Sequence, residues 1–185
     1  MRKCYTMKIA GIERNLPLFP INKNLQIAAF IMFGDVEITV ASAKALMEKA
    51  PDFDIILTAE AKGIPLAYEC ARVSGKDYVV ARKAPKLYMA DIVSTEVDSI
   101  TTAGIQKLYL GAEDAQKMKG KKVLIVDDVI STGESLAALE KLTEACDGII
   151  SGCMSVLAEG GAVDRDDIIY LEKLPLFDKD GNPLS

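Results

Sequence analysis

The sequence predicts an α/β protein, a doubly wound, mainly parallel sheet flanked by helices with one β-hairpin inserted into it. Three observations lead there. Short apolar runs at 53–58, 78–81, 123–126, 149–158 and 168–171 alternate through most of the chain with helical patterns at 39–50, 64–73, 112–119 and 136–142, the order that builds a parallel sheet. The run at 123–126, Val-Leu-Ile-Val, is apolar at every position, as a strand buried on both faces requires. Two β-rich arms at 92–100 and 105–110 meet at Thr101-Thr102-Ala103-Gly104 with no helix between them, which reads as a hairpin.

The 185 residues are half hydrophobic and 26% charged, ordinary for a globular chain and enough for a sizeable core. The net charge is −5, with no basic tail or run, so neither nucleic acid nor an acidic membrane is an expected partner. Cys4, Cys70, Cys146 and Cys153 show no C-x-x-C spacing and read as buried or free thiols in a reducing compartment. No apolar stretch follows Met1-Arg2-Lys3 and no run approaches a membrane span, so the expected location is the cytoplasm. Histidine is absent. That removes Ser-His and Cys-His nucleophiles and imidazole metal sites together, and leaves acid–base work to carboxylates, lysines, tyrosines or water.

In chain order, residues 1–38 are the least readable. Leu16-Pro17-Leu18-Phe19-Pro20 is extended, and 25–33 is apolar enough for a strand. The helix at 39–50 gathers Val40, Ala43, Leu46 and Met47 on one face, with Pro51 at its stop. The strand at 53–58 leads into Glu60-Ala61-Lys62-Gly63. Such a turn presents N–H groups and one cation to an anion, or is a plain surface strand–helix turn. The strand at 78–81 delivers Arg82, Lys83 and Lys86, which form either a solvated face or an electropositive wall. The strand at 123–126 brings Asp127 and Asp128 to the carboxyl edge of the sheet, where open α/β sheets bind ligands. Ser131-Thr132-Gly133 then opens onto a helix with Leu136, Leu139 and Leu142 on one face. A helix N-terminus offers unpaired N–H groups and the positive end of the dipole, a place for phosphate. The neighbouring carboxylates suit sugar hydroxyls, a metal ion or a developing positive charge. An ordinary strand–loop–helix corner is the bland alternative. A receiver-type domain also contains VLIVDD, but on its first strand, and the chain beyond it is too short to complete a domain of about 100–150 residues. Neither G-x-G-x-x-G nor G-x-x-x-x-G-K-[ST] occurs. The tail after 171, rich in Pro, Asp and Gly, reads as loop.

The stretch 123–135, VLIVDDVISTGES, closely resembles the phosphoribosyl pyrophosphate (PRPP) signature of type I phosphoribosyltransferases, and the likeness extends over about 54–158. It lies nearest the purine branch, the adenine and xanthine enzymes. The resemblance implies the type I phosphoribosyltransferase fold as a single domain over 1–185, with 1–38 contributing to a hood over the base and 88–110 forming a flexible lid. It implies transfer of the 5-phosphoribosyl group from PRPP to a purine, adenine placed first, with release of pyrophosphate. Mg2+ would bridge the pyrophosphate and the ribose hydroxyls, carried mainly by PRPP with Asp127 and Asp128 beside it. A homodimer is implied as well. Residue by residue, Asp127 and Asp128 would hold the ribose hydroxyls and stabilise charge at C1′. Ser131, Thr132, Gly133, Glu134 and Ser135 would wrap the 5′-phosphate, each charge-assisted hydrogen bond contributing roughly 1.5–3 kcal/mol. Glu60, Ala61, Lys62, Arg82, Lys83 and Lys86 would receive the pyrophosphate.

Three departures bear on the base. Glu134 stands where adenine enzymes usually have a second glycine. Ser131 stands where a class of hypoxanthine-guanine enzymes has an aspartate able to take the base's proton. Ser99-Ile100-Thr101 falls where adenine enzymes show Ser-Leu-Glu, so Thr101 replaces their carboxylate. Hypoxanthine/guanine or xanthine is the alternative base. A purine-responsive regulator that binds PRPP without catalysis is the alternative of another class, although such regulators carry an added DNA-binding domain.

Overall fold

The computed structural model describes residues 3–98 and 105–184. Its centre is a five-stranded sheet in the order β10-β9-β8-β4-β5, built from β4 (Ile55–Ala59), β5 (Asp77–Ala81), β8 (Lys122–Ile130), β9 (Ile149–Glu159) and β10 (Ile168–Leu174). Every pairing within it is parallel. Alternation along the central strands explains why they read as continuously apolar. Ile56, Leu124 and Val126 face α1 (Val36–Met47) and α2 (Ile64–Ser74), where Ile38, Leu46, Leu66 and Cys70 cover them. Ile55, Leu57, Val123 and Ile125 face the other way, under α3 (Ala112–Met118) and α4 (Glu134–Ala145), against Met118, Leu136, Leu139 and Leu142. Both faces are covered, the condition a parallel sheet imposes.

The order of the strands fixes where a ligand goes. After β4 the chain crosses to β5 on one side, then to β8 on the other, so the winding reverses between β4 and β8. Crevices of open α/β sheets lie at that reversal, outside the carboxyl ends of the strands. The register widens this one. The last β4–β8 pair is Leu57↔Ile125, whereas β4 stays with β5 to Ala59↔Ala81 and β8 stays with β9 to Ile130↔Ala158. The expected strand at 123–126 is therefore longer, and the two acids lie within it. β9 supplies the partner that carries it past Asp127 and Asp128.

The N-terminal part departs from the sequence reading. β1 (Cys4–Ile9), β2 (Ile12–Pro20), β3 (Leu25–Ala28) and β11 (Phe177–Asp178) form a second, antiparallel sheet. The strand expected over 25–33 stops at Ala28, and the tail expected as loop supplies β11. The β1–β2 turn has positive φ at both Ala10 (47°) and Gly11 (84°), the primed geometry that matches strand twist. Phe177 is fully buried and meets the Tyr5 ring edge-on at 5.0 Å. Arg14 on β2 ties this sheet to α1 through Asp35 (Nε–Oδ2, 2.7 Å), which also caps the helix by accepting from Ile38 N–H. That cap starts α1 three residues ahead of the expected 39–50.

The hairpin is present. β6 (Val93–Asp98) pairs antiparallel with β7 (Ile105–Leu110). Its base continues β5 through paired bonds between Arg82 and Tyr109, both 2.9 Å, and it rests on α4, with Thr95 Oγ1 donating to Ala138 O. Residues 99–104, including the Ser99-Ile100-Thr101 correspondence, lie outside the described residues.

If β11 holds the tail to the N-terminal sheet through Phe177, Phe177→Ala should destabilise the protein by about 3–5 kcal/mol. Urea unfolding measures it, and a loss under about 1 kcal/mol would show that this ring does not couple the two ends.

Candidate active site

Two carboxylates stand at the crevice, Asp128 buried and Asp127 half-buried, each tolerated for a different reason. Asp128, 2% exposed, is held by Lys62 from the β4–α2 turn, Nζ to Oδ2 at 2.6 Å. Asp127 accepts from the Asp128 backbone N–H (2.8 Å) and lies against the Asp128 carboxyl. Burial, and then the Asp128 charge beside it, push its carboxyl up to about 7. One acid is thus neutralised by a lysine and the other retains a proton well above its usual range.

The turn carrying Lys62 needs a glycine at its end. A Cβ on Gly63 would lie 2.3 Å from Thr58 Oγ1 and 3.0 Å from Asp127 Oδ1, so the turn fills the gap between β4 and β8 only without a side chain there. The peptide bond Glu60–Ala61 is cis.

Glu60 gathers the cations that follow β5. Its carboxylate accepts from Lys83 N–H at 2.7 Å and Arg82 Nη1 at 3.4 Å, with Lys86 Nζ at 3.8 Å. Burial pushes the Glu60 carboxyl up, but the Lys83 N–H and the Lys86 and Arg82 charges outweigh it and hold it below the ordinary value. Glu60 and Lys62 thus follow β4, and Arg82, Lys83 and Lys86 follow its parallel neighbour β5, at the same edge of the sheet. Lys83 takes part through its backbone.

Beyond β8, Gly133 has φ +81° and serves as the N-cap of α4. A Cβ there would also meet Arg165 Nη1 at 2.7 Å. Ser131, Thr132, Gly133 and Ser135, with Asp127, line a cavity of about 100 Å³, the share of a few water molecules. That suits a tetrahedral anion and is too small for a sugar and base. Among the described residues no group of three or more His, Cys, Asp or Glu is arranged to hold a metal. A hard cation here would take most of its oxygens from a substrate, the usual habit of Mg2+.

The sequence reading missed Glu159. It ends β9, is 7% exposed, and accepts from Ser131 Oγ at 3.0 Å. Burial raises its carboxyl, with the Ser131 hydrogen bond and the Lys62 charge pulling the other way. The available signal was a carboxylate closing an apolar strand, Val-Leu-Ala-Glu, at the edge where the acidic pair lies.

The reversal crevice, with the acid pair and a small loop at a helix N-terminus beside it, defines a doubly wound α/β protein with its candidate site at the carboxyl edge of the sheet. The chain belongs to the phosphoribosyl transferase domain family, whose model matches residues 36–173. It is 38% identical over 114 residues to a hypoxanthine/guanine phosphoribosyltransferase of Methanothermococcus okinawensis, covering 62% of this chain and 58% of that protein. It is 32% identical over 139 residues to an adenine phosphoribosyltransferase of Corynebacterium glutamicum, covering 74% and 73%. The chain thus spans little more than half of the first of these relatives and about three quarters of the second. The solved adenine phosphoribosyltransferase of Thermoanaerobacter pseudethanolicus superposes with a TM-score of 0.72 at 26% identity, covering 85% of this chain and 95% of that one. The second sheet, apart from its partners in the core, lies outside the matched residues.

The Asp127 shift has a testable sign. A carboxyl whose pKa rises on folding, here from 3.8 to about 7, adds stability at low pH that is lost as pH climbs through that interval. Asp127→Asn removes the dependence. Its stability relative to wild type should increase from about pH 4 to pH 7 and level off above. Equal differences at pH 4 and pH 8 would show that Asp127 ionises normally.

Proposed function

We propose that the protein is a PRPP-dependent purine phosphoribosyltransferase of nucleotide salvage, acting on adenine first to give AMP. The observation that carries this is the Lys62–Asp128 pair at the reversal crevice, beside an anion-sized loop. On this reading Lys62 is a cation for pyrophosphate and Asp128 an acceptor for ribose hydroxyls, and the two, in contact at rest, exchange partners when one ligand supplies both. The 5′-phosphate sits in the loop at 131–135, on backbone N–H groups of the first turn of α4 and the Thr132 hydroxyl. Asp127 and Asp128 accept from the ribose hydroxyls and face the positive charge that develops at C1′. Lys62, the turn at Glu60 and Ala61, and the cations Arg82, Lys83 and Lys86 receive the departing pyrophosphate. Mg2+, carried on PRPP, offsets pyrophosphate charge when bound. The hairpin covers the crevice and excludes water, which would compete with the base for an oxocarbenium-like centre.

Both purine branches are named among the relatives, so hypoxanthine and guanine are the second reading. The buried thiols Cys70, Cys146 and Cys153 suit a reducing compartment, and we place the protein in the cytoplasm. Val36, Val40 and Tyr68 are exposed and line an apolar groove with Met32 and Ile64, a surface that fits a second copy of the chain. Sedimentation equilibrium should give a dimer that Val40→Glu with Tyr68→Glu converts to monomer. A wild-type monomer at micromolar concentration would refute the pairing.

The function is tested by screening purines with PRPP and Mg2+ for pyrophosphate release. Adenine should give the highest kcat/KM. Asp127→Asn with Asp128→Asn should fold, yet lose at least about 10²–10³-fold in kcat. Wild-type turnover by the folded double variant would overturn the site. Binding of PRPP without turnover of any base, together with retention of labelled duplex DNA, would favour the regulator.

A further inference from the structure

The loop that seats the 5′-phosphate in the proposed reaction is short of positive charge. Ser131-Thr132-Gly133-Glu134-Ser135 contains no basic residue. Glu134 lies in the first turn of α4, Asp127 lines the same small cavity, and Glu159 accepts from Ser131 beside it. Lys62 is held on Asp128 at 2.6 Å. The dipole of one helix amounts to about half an elementary charge at its N-terminus, whereas a phosphate monoester brings about 1.5–2 of the opposite sign at pH 7. Backbone N–H groups and one dipole leave much of that charge without a counter-charge, among carboxyl groups.

One guanidinium reaches this loop from outside it. Arg165 follows the 3-10 turn Gly160–Asp164 between β9 and β10, its N–H bonded to Ala162 O. Ala162 and Val163 pack into the core under α4 with Leu136 and Leu139, which seats the turn beside that helix. Arg165 Nη1 lies 2.7 Å from the point where a Cβ on Gly133 would stand, and Gly133 also lines the cavity. An anion in the cavity and this guanidinium therefore share a neighbour that has no side chain to part them. Asp167 fixes the orientation. It accepts from Nε at 2.8 Å and from Nη2, a two-pronged grip that only Arg offers, and Nη1 is the corner left toward the loop. Glu140 on α4 and Cys153 on β9 complete the surroundings of Arg165.

Resting on that proposed reaction, we propose that Arg165 is a binding residue for the 5′-phosphate, the side-chain cation that the loop's own sequence lacks, with Asp167 as the residue that positions it. Guanidinium and phosphate match in charge and in hydrogen-bonding sense, donors facing acceptors. Gly133 then has a task besides its positive φ, since a side chain there would displace the guanidinium. Lys62, Arg82 and Lys86 serve the pyrophosphate end of the ligand, and Arg165 serves the other end.

Arg165→Gln removes the charge and keeps a polar side chain. Its affinity for ribose 5-phosphate by calorimetry should fall about tenfold or more. Its KM for PRPP should rise by a similar factor while kcat holds, the mark of a contact made equally before and during reaction. Arg165→Lys should recover part of the affinity, because a point charge remains without the planar fork. Asp167→Ala keeps the charge but releases it, and should fall between wild type and Arg165→Gln. Added salt should weaken wild-type binding more steeply than Arg165→Gln binding, since the variant has one ionic contact fewer to screen. If Arg165→Gln does not fold, Arg165→Met, which keeps an apolar stem beside Gly133, carries the same comparison. Equal affinity in wild type and Arg165→Gln would overturn the proposal. A loss that Arg165→Lys does not restore and that has the wild-type salt dependence would overturn it too, and leave Arg165 as a prop of Gly133. A wild type that binds neither PRPP nor ribose 5-phosphate overturns the proposed function and this inference with it. A wild type that binds both, beside an unimpaired Arg165→Gln, overturns this inference alone.

Discussion

Placing two carboxylates at the inner end of a parallel sheet is costly, because each charged form loses its hydration. The contact between Lys62 and Asp128 offsets one of those charges, and a proton held to about pH 7 removes the other. Much of the local architecture serves this compensation. Lys62 reaches Asp128 because the turn after β4 folds into the gap between β4 and β8, and it folds there because Gly63 has no side chain to strike Thr58 and Asp127. The gap itself exists because β4 parts from β8 after Leu57↔Ile125 while β9 keeps β8 extended.

The same economy governs the other charges. Glu60 collects Arg82, Lys86 and the Lys83 N–H, as Asp128 collects Lys62. The segments that follow β4 and β5 therefore each carry a cation already paired with an acid. A polyanion with hydroxyl groups can take the cation and satisfy the acid in one binding event, so the cost of breaking the resting pairs is offset by the ligand's own groups. Charge repulsion among three basic residues is also relieved in the resting protein.

The second sheet contributes in another way. Its strands come from both ends of the chain, and Phe177 against Tyr5 joins them. Arg14 carries the connection to the Asp35 cap of α1, so the sheet is tied to the helix layer that supports β4 and β8. It lies largely outside the residues matched by the family, while the residues that frame the crevice lie inside.

The sequence by itself determined the elements whose signals are local. Val123 to Val126 must be a doubly covered strand because no polar face interrupts them, and Thr132-Gly133 before an amphipathic run must open a helix on a loop. The alternation of strands and helices then set the fold class, and Asp127, Asp128, Lys62 and Arg82 were legible as candidates because chemistry-bearing residues followed apolar runs closely. Tertiary structure decided what depends on residues distant in sequence. The β1–β2 turn was hidden because alanine rarely adopts positive φ, and only strand pairing around it enforces Ala10 there. β11 is two residues long and exists through its partner β3. The extension of β8 past its acids came from β9, and the resting partners of Lys62 and Glu60 came from packing across the sheet edge. Glu159 resembles any strand-terminal glutamate until the β8–β9 register sets it beside Ser131. Propensity and periodicity act over a few neighbouring residues, whereas the geometry of this crevice is a property of which strands end together.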